Sequence, residues 1–197
     1  MSGRGNAFRE AANTYSVNEF YLLSHSILET GHGTSPLSNG SIRVGRLGTN
    51  KWVSIQPDGT FIAERNGNTW SSTWTIERVN NFDESQAQNI KQTYNMFGIG
   101  AIDSCPYVCG SIRAYEEGWD TANKAIVGGT RFIAQDYVHH PVYQQDTLYK
   151  MRWNPGQPGT HQYATDIGWA YKQTSMLYRH YQNLPHLRKT FDIPNYR

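Results

Sequence analysis

The chain has 197 residues, 38% of them hydrophobic and 17% charged, with a formal net charge of +2. That length suits one well-packed domain, taken here as residues 1–197, and the composition excludes a charge-rich disordered tail. So mild a charge is no footprint for nucleic acid, and no apolar stretch is long enough to span a membrane.

The first fifteen residues lack the apolar run of a secretory signal, so export would be arranged elsewhere or by a longer chain. Residues 6–15 predict a short helix. Ser16 and Glu19 then stand at capping-box spacing, followed by Phe20, Leu23, Ile27 and Leu28 at helical period. Gly31 and Gly33 stop that helix, which leaves Glu29 on its last turn. Residues 41–90 change character. Lys51 to Gln56 alternates, Pro57-Asp58-Gly59 is a turn, and Thr60 to Glu64 alternates again. After a second turn at Asn66-Gly67, Thr69 to Val79 predicts a third strand with Trp70, Ser72, Trp74 and Ile76 on one face. Helical period returns at 111–117, 121–138 and 166–183, with Thr121 and Asp166 as N-caps. The fold class is therefore α+β, mostly α, with a small antiparallel β-hairpin lobe inserted at 41–90.

The lone cysteines, Cys105 and Cys109, fit either a local disulfide or two free thiols, and no metal spacing accompanies them. His139-His140 cannot share one helical face, so a surface loop is expected there, and no metal or cofactor is implied. Gly128-Gly129 within a helical pattern suits close helix packing. The 13 Tyr and 6 Trp suit sugar-binding clefts, although most such side chains simply pack.

Glycoside hydrolysis needs a carboxylic acid still protonated near neutral pH, and a glutamate on the last helical turn faces the negative end of the helix dipole, which disfavours its ionised form. Glu29 meets that condition, with His25 one turn earlier on the same face. A solvated helix-end glutamate meets it equally.

The stretch Leu22 to Ser35, containing Leu28-Glu29-Thr30-Gly31-His32-Gly33-Thr34-Ser35, resembles the signature of glycoside hydrolase family 73. Tyr94 to Ala101, with Asn95-Met96-Phe97-Gly98-Ile99, is similar to that family's N-x-F-G-I segment. Gly118-Trp119, Lys124 to Gly129, Phe132-Ile133 and the runs Thr147 to Trp153 and Asn154 to Asp166 continue the likeness in order. It covers residues 17–40 and 93–175 and is nearest to glucosaminidase domains of Gram-positive autolysins and phage wall hydrolases.

The resemblance implies a lysozyme-like helical domain that cleaves the bond from N-acetylglucosamine to N-acetylmuramic acid in peptidoglycan. Glu29 takes the general-acid role. Tyr163 matches the tyrosine beside the reacting sugar, and Asn95 and Phe97 match residues of the cleft floor, with Trp153 and Gln162 as further sugar contacts. For Tyr163, Phe97 and Trp153 the alternative is plain core packing. Asp166 is better read as a helix cap than as a catalyst.

A second carboxylate is sought on the β lobe among Glu64, Glu77, Asp83 and Glu84, with Glu64 at a strand end that would overhang the cleft. Each of these also fits a solvated strand carboxylate, and substrate assistance by the N-acetyl group needs no second carboxylate. The partner is then the glycan strand, the location the cell wall or a phage virion, and other domains or a particle would supply targeting. A lytic transglycosylase and a non-catalytic wall-binding or phage tail module are the rival readings.

Overall fold

A computed structural model describes residues 3–184, 186–188, 193 and 195, so both ends of the 1–197 span lie outside the described residues. Helix α1 (Gly5–Tyr15) buries Ala7, Phe8, Ala11 and Ala12, one apolar stripe at helical period. Helix α2 (Glu19–Glu29) follows at once, but the expected capping box does not form. Ser16 closes α1 in a left-handed conformation, and Asn18 instead caps α2 by accepting the Tyr21 N–H. An asparagine competes well for that position, so the cap moved two residues along the chain.

Beyond α2, Gly31, His32 and Gly33 all take positive φ, and Thr30 locks the turn by donating to the Ser26 carbonyl and accepting the Gly33 N–H. A short helix α3 (Pro36–Asn39) leads into the sheet. The strands are β1 (Arg43–Gly48), β2 (Lys51–Gln56), β3 (Gly59–Arg65), β4 (Trp74–Val79) and β5 (Gln88–Gln92), antiparallel in the order β4-β3-β2-β1-β5. The β2–β3 hairpin is as predicted. The third strand is shorter than predicted, because residues 66–73 form the β3–β4 connection and Trp70 lies in it.

Helix α4 (Pro106–Glu116) starts five residues before its periodic pattern, with proline in its first turn and a disulfide from Cys105 to Cys109. Helix α5 (Ala122–Ile133), capped by Thr121 as expected, runs on into a π turn over Ala134–Val138. Helices α6 (Leu148–Trp153) and α7 (Trp169–Gln182) complete the described elements. Asp166 accepts the Gly168 N–H just ahead of α7 rather than capping it directly.

Two apolar clusters result. The larger is helical and centres on Phe8, Leu22, Phe97, Trp119, Ile126, Ile133, Met151 and Trp169. The smaller joins the sheet to α4 through Ile42, Val44, Trp52, Ala63, Val108 and Ile112, with a buried Ser54–Ser111 hydroxyl contact of 3.1 Å. Gly128 and Gly129 allow the close packing expected of them, since a Cβ would run into Trp119 at the first and Phe97 at the second. The fold is α+β and mostly helical.

Candidate active site

Glu29 ends α2, and its carboxyl stands in a cleft of about 580 Å³. The walls come from distant parts of the chain: Trp70 on the sheet side, the loop Phe97–Asp103, Phe132 and Tyr137 at the end of α5, the loop Tyr163–Asp166, and Trp169 at the start of α7. The cleft thus lies between the helical body and the sheet lobe.

The two carboxyl oxygens of Glu29 have different surroundings. Oε1 accepts a 2.7 Å hydrogen bond from the Trp169 indole N–H and lies 3.6 Å from His25 Nε2. Oε2 faces Gly98, close enough that a Cβ on that residue would come within 2.8 Å of it. Gly98 also has φ of +65°, a conformation in which a side chain is strained. The Glu29 side chain keeps 23% of its surface exposed, so the carboxyl is held on one side and open on the other. A carboxyl with one oxygen pinned by a donor and the other free toward a groove can give a proton to a ligand there.

Aromatic rings back this arrangement. Tyr163 stacks on Trp169 with centroids 5.2 Å apart, and its hydroxyl donates to the Phe97 carbonyl at 2.9 Å. Burial, and then the negative charge of Glu29, push the Tyr163 hydroxyl well above the ordinary tyrosine range, so it remains a donor. Tyr21 behaves alike for the same two causes. Tyr163 packs against the helical core and also lines the cleft.

The other expected residues divide. Phe97 is 1% exposed and forms the cleft floor. Asn95 lies behind it: its amide donates to the Ile99 and Gly110 carbonyls and its oxygen accepts the Phe97 and Ile99 N–H groups, so it shapes the loop from within. Trp153 and Gln162 are not brought to the cleft. Arg152 holds both, with its guanidinium over the Trp153 ring and a 3.0 Å hydrogen bond to Gln162.

Glu64 does not overhang the groove either. It alternates with Ala63, which is buried under α4, and so projects from the other face of the sheet, where it pairs with Lys51 at 3.4 Å. Glu77 is an exposed strand residue, Asp83 caps a short turn, and Glu84 pairs with Arg43. Among the described residues, the carboxylates along the cleft besides Glu29 are Asp103 and Asp166. Lys172 and the Gly168 N–H hold Asp166 below its ordinary pKa.

Trp169, Trp70 and Asp103 were not singled out from the sequence as site residues. Trp169 opens a helix and Trp70 looked like a strand residue, so neither gave a local signal of the cleft. Among the described residues no cluster of His, Cys, Asp and Glu could hold a metal ion. No helix among them is long and apolar enough to cross a membrane.

No family model matches the chain. Over its 197 residues it is 43% identical to a Beta-N-acetylglucosaminidase of Bacillus subtilis (strain 168) and 41% identical to a Bifunctional autolysin of Staphylococcus aureus (strain MSSA476). It spans only 17% and 13% of the length of those two relatives. Among solved structures it is similar to a catalytic mutant of S. aureus Autolysin E in complex with the disaccharide NAG-NAM. That likeness has a TM-score of 0.60 and 32% identity, over 92% of this chain and 60% of the other. It is also similar to a Major Bifunctional Autolysin, with TM-score 0.53 and 38% identity, over 98% of this chain and 60% of the other.

Proposed function

We propose that the chain is a glycoside hydrolase that cleaves peptidoglycan as an endo-β-N-acetylglucosaminidase, at the bond from N-acetylglucosamine to N-acetylmuramic acid. The observation that carries this is the Glu29 carboxyl, pinned through Oε1 by Trp169 and open to the cleft. The names of the relatives and the disaccharide bound by autolysin E support the substrate class.

In the step proposed, Glu29 Oε2 carries the proton and delivers it to the glycosidic oxygen as that bond breaks. The Trp169 N–H donates to Oε1 throughout, and so favours the carboxylate that forms. The loop Phe97–Asp103 is the floor beneath the sugar, supported from below by the buried Phe97 ring, and Tyr163, bonded to the Phe97 carbonyl, holds that loop in register with the acid. Glu64, tied to Lys51 outside the cleft, is left without a part in this step. The nucleophile in this reading is the N-acetyl oxygen of the substrate itself, which closes an oxazoline ring as the leaving sugar departs; water, giving its proton to the Glu29 carboxylate, then opens that ring to the reducing N-acetylglucosamine end.

On this reading residues 1–197 act as one lysozyme-like catalytic unit at the bacterial cell wall. Digestion of purified peptidoglycan, with the new ends read by mass spectrometry, tests it. Reducing N-acetylglucosamine ends are expected. Anhydro-muramic ends would mean a lytic transglycosylase, and no product would mean a binding module.

A further inference from the structure

We propose that His25 is the positioning residue of the acid: its Nε2–H takes hold of Glu29 Oε1 as the proton leaves, and the Tyr21 hydroxyl fixes the tautomer that makes this possible. The inference rests on Glu29 being the acid.

His25 lies one helical turn before Glu29 and is wholly buried. Among the described residues its Nε2 has no hydrogen-bond partner, an expensive state for a ring nitrogen away from water, and Glu29 Oε1 lies 3.6 Å from it. Its Nδ1 is 2.9 Å from the Tyr21 hydroxyl, which is also 3.0 Å from the Met151 sulfur. A phenol has one proton to give. We assign that proton to Nδ1, a far better acceptor than the Met151 thioether; in the opposite tautomer Nδ1–H donates to the phenol oxygen, the phenol donates to Met151, and Nε2 carries no proton. In the assigned tautomer the imidazole proton is on Nε2, 3.6 Å from Glu29 Oε1.

The ring has no freedom to turn away. Phe97, Tyr163 and Trp169 meet it edge to face, with centroids 5.3, 4.6 and 5.1 Å from it. A separation of 3.6 Å is longer than a hydrogen bond, and catalytic contacts of this kind shorten once substrate or charge is in place. When Glu29 gives up its proton, Oε1 becomes the anion that an aimed but unused N–H should find. Trp169 and His25 then both donate to Oε1, which leaves Oε2 as the oxygen that carried the proton.

Two substitutions separate the positioning role from packing. A glutamine amide reaches the place of Nε2, whereas an asparagine amide reaches only that of Nδ1. For His25→Gln, kcat on peptidoglycan is expected to stay within about tenfold of the parent, and for His25→Asn to fall by about 100-fold, with KM unchanged in both. Equal kcat in the two variants, or a loss confined to KM, would overturn the proposal.

Should both fail to fold, Tyr21→Phe removes the hydroxyl and keeps the ring. Its kcat is expected to fall by about tenfold at constant KM and thermal midpoint, and parent-like kcat would overturn the proposal. Glu29→Gln in the same series separates the two failures. If it keeps turnover, the acid assignment is wrong and His25 falls with it. If it is inactive while the Gln and Asn variants match, only the positioning role is wrong.

Discussion

At Glu29 three independent constraints meet: the end of α2, the indole N–H of Trp169, and a glycine at 98 that leaves room for Oε2. The tyrosines around it carry a consequence for pH. Tyr21 and Tyr163 are pushed well above the ordinary range and Tyr137 to about 12, in each case first by burial. A folded pKa above the unfolded one means that the folded state holds the proton more tightly. The resulting stability is fully present below the unfolded value near 10. It is lost as pH rises toward the folded values, at up to about 1.4 kcal/mol per pH unit for each tyrosine. These three of the 13 tyrosines are expected to ionise only as the protein unfolds, seen by following phenolate absorbance and circular dichroism together. A single ionisation wave near the ordinary value with the fold intact would contradict this.

That Glu29 and Tyr163 share one cleft was foreshadowed at this scale because each stands in a distinctive run of neighbours. Glu64 misled, because strand alternation sends its side chain to the face opposite Ala63, and only the packing of α4 says which face is inside.

Among the elements, the loop between β5 and α4 does the most to shape the site. Asn95 ties it down from behind, Phe97 floors the cleft, and Gly98 passes directly beneath the acid. Gly98→Ala would place a methyl within 2.8 Å of Oε2 and force a side chain into the left-handed region. A stability loss of about 1–2 kcal/mol is expected from the backbone alone. Displacing the acid is expected to cost about 100-fold in kcat. Thermal unfolding and turnover measured on the same preparation check both, and parent-like kcat would show that Oε2 has no fixed place.

The elements that repeat an apolar period over ten residues or more, such as α1, α2 and α5, were read from the sequence. Strand β5, Gln-Asn-Ile-Lys-Gln, was not, because an exposed edge strand has no buried face to write a pattern. Helix α6 is too short for its period to register. The Trp-rich stretch was read as one strand because Trp70 keeps the alternation, yet it belongs to the connection and reaches the cleft.

At the scale of the whole molecule, the two apolar clusters set a helical body beside a sheet lobe, and the cleft draws on residues from Leu28 to Trp169. No local window of sequence could show that assembly; what showed through was a series of short blocks in a fixed order. Everything proposed for the molecule depends on one carboxyl, Glu29, donating a proton within that cleft. The most direct test is the rate of peptidoglycan cleavage by Glu29→Gln, which keeps the shape and the Trp169 contact but has no acidic proton to give. A loss of at least about 100-fold, with the thermal midpoint unchanged, is the expected result. A folded Glu29→Gln protein that still cleaves near the parent rate would contradict it.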